Sequence, residues 1–588
     1  GAVMLNGAVG TISNPGTLTL NGTLTSGTIT NTGTVAVGGE ALTATSITGG
    51  IVSTTSGVIS TTGMIATLNA TTSATLNGGA GLMVTNAIAG SPNLTLSGAV
   101  MLNGAVGTIS NPGTLTLNGN LTSTGDIDIA AAGRLVTGDY NLSAANITEL
   151  GAGAVLDASG QTTAGRTVTF SAGMTLVASG FTPGTTTTLT SSGTGNLTSA
   201  GNNVGNFEKT IGGTLTLQDA LDVNGNLAIT AGTLDANQKN ITLAGNWTNG
   251  GTFTSGGGTQ TVTFDGALDQ TIVSGGESFN RLVSANTAAA VIATTAVETA
   301  DSFTLSSGEF RNGTNTLTVA GDFSQTAGTF TQGAGAITLN GATSTVAGTF
   351  TKSGSGSITF SGTGAQSLSA NAKDLGNVTV TGASTVLTLG TQSVTFDNLA
   401  ISTNGRLSLD GSAGAVTVNI NDTKSVTLST GGSFYLASSA NLLTLQAASG
   451  TAAYTGANIT FNGQDLTLSS ITYNQALSLA AGEQLTLADG NCTFTGITVG
   501  AGTFNANDQA WSMSGSWDNS GAGSLVNTAA TATFTGTAQT INAGGSGAGK
   551  PFGPVSISGT YVLSTSDFQA TSLSGAGSLA TGDRNLTV

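Results

Sequence analysis

Asp126-Ile127-Asp128 places two carboxylates on one face of an extended segment, and Asp219 and Asp222 form a second close pair. These are the residues whose type and spacing come nearest to catalysis. A glycosidase needs two carboxyls about 5 to 9 Å apart in a cleft. Neither pair has basic residues around it, and the chain contains no histidine. The absence of histidine removes His-based triads and imidazole proton transfer. The acids therefore read as solvated turn residues. The chain reads as a non-enzyme with no catalytic, cofactor or metal residues to assign.

Other residue types offer weaker chemistry. Asp265, Asp269, Asp322 and Asp518 sit in turns and could supply oxygens to a structural Ca²⁺. No EF-hand loop and no Gly-Gly-x-Gly-x-Asp nonapeptide array accompanies them. Cys492 is the sole cysteine, which excludes an intrachain disulfide and a Cys-based zinc site. It shares strand parity with Phe494, so it is expected inside the core as a small apolar residue. Trp247, Trp511 and Trp517 could stack on sugars. Phe323 fills the slot that Trp247 and Trp517 occupy in two other copies of a repeat, which favours core packing. Thr-x-Thr pairs such as Thr17/Thr19, Thr23/Thr25 and Thr28/Thr30 suggest an outward threonine array able to meet ice. They are read here as scattered over changing faces.

These residues must be positioned by strands. Gly16-Thr17-Leu18-Thr19-Leu20-Asn21-Gly22, Asn240-Ile241-Thr242-Leu243 and Thr261-Val262-Thr263-Phe264 alternate polar and apolar residues with period two. Each run meets Gly, Asn, Ser or Asp after four to six residues. No window carries a helical stripe with caps, so almost no helix is expected. Of 588 residues, 38% are hydrophobic, 7% are charged and 90 are Gly. That is too apolar for a swollen, disordered chain. No run is long and apolar enough for a membrane helix. Lys+Arg is 12 against Asp+Glu 28, a net charge of −16. Nucleic acid and anionic membrane need a basic surface, so neither is expected as a partner.

Repeats point to the fold. Gly1–Gly22 recurs unchanged at Gly98–Gly119. A looser cassette opens at Ala231–Trp247, Ser307–Phe323 and Ala501–Trp517, where Gly232, Gly308 and Gly502 each precede the aromatic by 15 positions. Its tails read Phe264-Asp265-Gly266…Gln270-Thr271-Ile272, Phe360-Ser361-Gly362…Gln366-Ser367-Leu368 and Phe534-Thr535-Gly536…Gln539-Thr540-Ile541. Trp247 precedes Gln270 by 23 positions and Trp517 precedes Gln539 by 22, but Phe323 precedes Gln366 by 43. The extra piece is a near-copy, Ala327–Gly341 followed at offset 20 by Ala347–Gly362.

A compact core rejects such an insertion, whereas a solenoid stacks one more coil. The expected fold is all-β, a parallel β-helix with about three short strands per coil of roughly 20 residues. Turn asparagines are expected to stack as ladders. Coils of that size would number roughly 27–29 and form one continuous rod. Residues 1–130 read as almost charge-free Thr/Gly/Asn-rich coils carrying the duplicated unit Gly1–Gly22. Residues 131–588 read as coils with the recurring cassette. Between Gly1 and Gly125 the only charged residue is Glu40.

The pattern Gly-[Asn/Asp/Ser]-[Trp/Phe]…Gly-Thr-Phe…[Val/Ile]-Thr-Phe-x-Gly…Gln-[Thr/Ser]-[Ile/Leu], as at Trp247, Gly251-Thr252-Phe253, Val262-Thr263-Phe264 and Gln270, resembles that of bacterial β-strand-repeat surface proteins. More distantly the chain is similar to filamentous-haemagglutinin and autotransporter-type adhesins. The third copy departs, with Gly521-Ala522-Gly523-Ser524-Leu525 where Gly-Thr-Phe is expected. The resemblance implies a right-handed β-helix with an extracellular, cell-surface role and no catalytic residues to carry over.

The chain begins at Gly1 and stops at Val588 in mid-cassette, so it is expected to be part of a longer protein. A surface as poor in charge as residues 1–125 lacks ordinary electrostatic repulsion. It is expected to be covered by a second copy of the chain or by glycans. Asn-x-Thr sites such as Asn21-Gly22-Thr23 and Asn246-Trp247-Thr248 arise readily in so Thr-rich a sequence. The leading functional expectation is a structural protein that builds a fibre, filament, sheath or surface layer by self-association. The alternatives are the stalk of a larger adhesin and, third, a β-helix enzyme degrading polysaccharide.

Overall fold

The structure, a computed structural model, describes the chain from Val9 to Val588 except residues 32, 49–50, 55–57, 62–63, 71–73, 78–81, 90–93, 98–99, 103–105, 110–113, 124, 130, 383–384, 403, 429–431, 439–442 and 456–458; for most of residues 45–113 it describes backbone alone. Its contacts divide into two compact units, Gly1–Val291 and Ile292–Val588. The compositional change near residue 130 falls inside the first. Both units are parallel β-solenoids, and no helix occurs among the described residues.

In the first unit a representative coil contains Leu221–Val223, Leu227–Ile229 and Thr233–Asp235. The next coil repeats them as Ile241–Leu243, Trp247–Asn249 and Thr252–Thr254. Leu221 pairs with Ile241, Leu227 with Trp247 and Leu234 with Phe253, all parallel. The burial pattern alternates as period two demands. Leu221, Val223, Leu227, Ile229 and Leu234 are each 0–1% exposed, and the residues between them face out.

The earliest coils are tighter. Thr11 pairs with Thr28, and Thr17 with Thr34, a step of 17 positions in each case. There two of the three inward segments fuse into one strand, Leu24–Asn31. Leu24 and Ser26 point inward, and then Ile29 does. This change of parity at Gly27 turns a corner. A Cβ on Gly27 would lie 2.1 Å from the Gly10 carbonyl oxygen, so only glycine fits where the two bends stack.

In the second unit three ladders start at Val297–Thr299, Phe303–Leu305 and Glu309–Arg311. The inserted piece is one extra coil. Phe310, Phe330 and Phe350 stand in register on successive coils, with ring centroids 5.5 and 5.6 Å apart. Later coils lengthen: Leu399 pairs with Val426, and Val416 with Leu443, a step of 27 positions in each case. These longer coils bring the number of turns to about 24, below the number expected from a uniform coil of about 20 residues.

The cassette is explained residue by residue. The position before the aromatic always offers a side-chain oxygen to the next coil. Asn246 Oδ1 accepts the Thr271 N–H at 2.7 Å, Asp322 Oδ1 the Thr343 N–H at 2.9 Å, and Ser516 Oγ the Thr540 N–H at 3.1 Å. The expected asparagine ladder runs into the first of these. Asn206 Oδ1 accepts from Asn226 N, and Asn226 Oδ1 from Asn246 N, both at 2.9 Å.

The recurring glutamine closes the turn from inside. Gln270 is fully buried and donates to the Leu243 and Gly245 carbonyls, both at 2.8 Å, while its Oε1 accepts the Gly266 N–H at 3.0 Å. Gln366 does the same with Leu339 O at 3.0 Å, Gly341 O at 2.8 Å and Gly362 N at 3.3 Å. One amide thus meets three main-chain groups that burial would otherwise orphan.

The third copy breaks this pattern. Its loop between Gly536 and Gln539 is one residue shorter than that between Gly266 and Gln270. Gln539 is half-exposed there and turns its Oε1 to Ser516 Oγ. The Tyr561 hydroxyl, from the following coil, takes its place. It accepts the Gly536 N–H at 3.0 Å and lies 3.1 Å from both Met513 O and Gly515 O. A phenol has one hydrogen for two carbonyls, so this copy is less completely satisfied than the others. Tyr561→Phe is expected to cost about 1–3 kcal/mol by stranding these groups. The check is the denaturant midpoint with an unchanged m-value.

Candidate functional site

The carboxylates singled out by spacing are mostly structural acceptors. Asp126 accepts from Asn146 Nδ2 at 2.6 Å. Asp128 faces outward, and partial burial, then the neighbouring Asp126 charge, holds its carboxyl above the ordinary range. Asp219 caps the preceding coil, taking the Ser199 N–H at 2.7 Å and the Ala200 N–H at 2.5 Å. Asp222 is instead raised by burial and by Asp265, two coils on. Among the described residues no cation forms an ion pair with either pair of acids, and the donors to Asp126 and Asp219 are structural groups of neighbouring coils.

The four candidate calcium acids do not converge. Asp269 accepts from Ala290 N at 3.0 Å, Asp322 from Thr343 N at 2.9 Å and Asp518 from Ser520 N at 2.9 Å. Among the described residues no three acidic or thiol groups gather closely enough to hold a metal.

Cys492 is 0% exposed beneath Trp511, its register partner, and burial pushes its thiol up to about 11. Such a thiol is inert. Trp247, Trp511 and Trp517 are at most 2% exposed, so none can stack on a sugar. Trp247 lies edge-on to Phe253 at 4.9 Å, and Trp517 to Phe552 at 5.2 Å. Their indole N–H groups meet no acceptor, so the slot demands aromatic bulk, which Phe323 also supplies.

The three threonine pairs do lie on different faces, Thr17/Thr19 on a strand of their own and Thr23/Thr25 and Thr28/Thr30 on either side of the Gly27 corner, but each face is continued by the next coil. Thr25 pairs in register with Thr43, Thr28 with Ser46, Thr30 with Thr48 and Thr17 with Thr34. The tighter coil of this segment returns each to the same face. A uniform, longer period hides that return in the sequence.

Few charges are placed where they could work. Glu149 is buried and spends both oxygens on main chain, Oε1 on Leu156 N at 2.9 Å and Oε2 on Val177 N at 2.7 Å. Burial raises its carboxyl against those two bonds. Lys209 points inward, is 0% exposed and donates to the Ile211 carbonyl; desolvation lowers its amine. Lys352 bridges Asp374 at 2.8 Å and Asp397 at 3.0 Å, and Asn421 Nδ2 joins both acids. These contacts tie together successive coils. A small groove of about 260 Å³ lies among Pro183, Thr185, Asn203, Asn206 and Asn224. The Asn203 and Asn206 side-chain oxygens there already accept main-chain N–H groups.

Gly544-x-x-x-x-Gly549-Lys550 has the spacing of a phosphate-cradling loop, but Pro551 stands where a metal-binding hydroxyl is needed and a strand, Phe552–Ile557, follows instead of a helix. Its lysine turns inward onto carbonyl oxygens. The lysine thus serves the Asn519–Gly523 turn and not an anion held by its own loop.

The feature of greatest extent is a surface. On one ladder of the second unit the outward residues are Thr318, Thr338, Thr359, Thr379, Ala400, Thr427 and Thr455 in successive register. A second column, offset by two residues along the strands, runs from Ser425 through Ala453, Thr472, Thr493, Ser512, Thr533 and Ser556. The strands that bear these columns carry no charged residue from Leu317 to Ile557, although Asp518 lies on the strand Trp517–Asp518 that joins the same sheet beside Thr498. Other acids sit in turns beside these strands, at Asp397, Asp422, Asp489 and Asp508. Hydroxyls along the columns bond one another, as Thr493 and Ser512 do at 2.9 Å. No protein-family model, curated protein or solved structure matches this chain.

Proposed function

We propose that this chain is an extracellular structural protein, one that builds or extends a cell-surface fibre, sheath or surface layer by lateral association of β-solenoids. The observation that carries this reading is the pair of offset, uncharged and mostly hydroxyl-bearing columns between Thr318 and Ser556. Their side chains repeat at the strand spacing of about 4.8 Å. A second copy of the chain presents the same repeat, so rungs of one copy can lie between rungs of another, as in stacked-sheet interfaces. With a net charge of −16, copies repel wherever their acidic turns meet and least where these ladders face each other. The cassette's resemblance to bacterial surface repeats favours a second reading, the stalk of a larger filamentous-haemagglutinin-like or autotransporter-like adhesin.

The test is sedimentation velocity with electron microscopy of the full chain. Raising salt from ~0.01 to ~1 M shrinks the screening length about tenfold and is expected to promote side-by-side species. The triple variant Thr359→Glu/Thr427→Glu/Thr493→Glu should remain dispersed at both salts. A wild-type chain that stays monomeric at every salt sinks the self-association reading and leaves the stalk. A triple variant that assembles like wild type sinks the assignment of the ladder.

A further inference from the structure

The turn at Asn519–Gly523 aims four oxygens at one point. Lys550 Nζ lies 2.7 Å from Asn519 O, 3.1 Å from Asn519 Oδ1, 2.8 Å from Gly521 O and 2.9 Å from Gly523 O. Asn519 is 0% exposed. An ammonium has three hydrogens, so the four acceptors that converge on this half-buried Nζ exceed its donors. The lysine comes from the far end of Gly544-Gly545-Ser546-Gly547-Ala548-Gly549, which has positive φ at Gly544, Gly545 and Gly549. This stretch offers one methyl group for packing, so side-chain burial does little to hold it. Besides the lysine, it meets the Asn519–Leu525 turn through Leu525 N donating to Gly549 O at 2.6 Å and a long contact from Asn519 Nδ2 to the same oxygen at 3.4 Å.

We propose that the Asn519–Gly523 turn is a monovalent-cation site with the Lys550 ammonium as its tethered occupant, and that this occupant holds the 544–549 loop closed. The chemistry selects the class. All four oxygens are uncharged amide carbonyls, whereas calcium shells draw largely on carboxylates, and Asp518, the acid whose charge acts on Lys550, is not among them. A ring of neutral carbonyls suits a potassium or ammonium ion. Removing the charge on Lys550, by substitution or by acylation of the amine, leaves the carbonyls facing one another. The loop then opens unless a free cation enters. This inference is independent of the association proposed above.

Hydrogen–deuterium exchange of the full chain tests it, read at amides 544–550 and at Leu525. In choline chloride, whose cation is too bulky for the site, Lys550→Met should exchange at least tenfold faster than wild type. Potassium or ammonium chloride at equal strength should restore protection in the variant and leave wild type unchanged. Wild-type protection in the variant in choline overturns the latch. Equal exchange of the variant in choline, potassium and ammonium overturns the cation site. A second measurement covers a variant that fails to fold. Brief acetylation of folded wild type should label Lys550 at least tenfold more slowly than the exposed Lys424. Equal labelling of the two overturns the proposal.

Discussion

Excising residues 327–346 is expected to leave a folded solenoid one rung shorter, with an unfolding midpoint within about 4 °C of the parent. The segment holds Thr329–Gln332, Ile337–Leu339 and Thr343–Val346, one strand on each ladder of the second unit. Its removal brings Phe350 over Phe310, Ile358 over Leu317 and Leu368 over Phe323. The lost coil presented Phe330, Ile337 and Ser344 to those same three positions, so the incoming side chains are as apolar as those they replace or more so. Removing 327–336 alone should have the opposite outcome. It deletes one strand of three and moves each later strand onto the wrong ladder, so inward leucines meet outward threonines. Circular dichroism and thermal melts of the two deletions should differ by loss of cooperative unfolding in the second. Equal behaviour would show that the coil is not the unit of stacking.

Gln366→Leu is expected to cost on the order of 3 kcal/mol or more, well above an ordinary surface change. Leucine fills the space but leaves Leu339 O, Gly341 O and the Gly362 N–H buried without partners. Each orphaned group costs about 1–3 kcal/mol. Gln539→Leu at the matching position of the third copy should cost under ~0.5 kcal/mol, because that side chain is half-exposed and holds no inter-coil carbonyl. Chemical denaturation of the pair, in the same background, provides the check. Equal losses would mean that the cassette glutamine acts through bulk and not through its three bonds.

The stacking was legible because it rests on two simple signals. Period-two alternation identifies strands, and the near-copy that follows Phe323 is tolerable only if a piece of that length makes a whole layer. The core aromatics at Trp247, Phe323 and Trp517 were legible from their exchange for one another. What the residues did not reveal was the work of the polar positions. Asn246, Asp322 and Ser516 share no charge and little shape; what they share is an oxygen within reach of the next coil. That equivalence becomes visible only when the register is known. The replacement of Gln539 by Tyr561 was hidden for a related reason. A one-residue change in loop length alters where a side chain ends up, and the substitute comes from another coil. The latch at Lys550 leaves no trace in the sequence because its ligands are mostly main-chain oxygens, which have no sequence signature.

The register itself has a kinetic corollary. Adjacent rungs pair residues only 16 to 28 positions apart, from Ile51 on Thr67 to Val426 on Tyr454. Against a length of 588 residues, such pairing is local, although the described strand pairs are parallel. A strand need wait for no distant segment before it docks. The chain can therefore consolidate progressively from whichever end leaves a ribosome or a translocation pore first, each new rung being templated by the one before. Such growth suits a polypeptide threaded unfolded through a narrow conduit, since ordering on the far side would bias its passage in one direction.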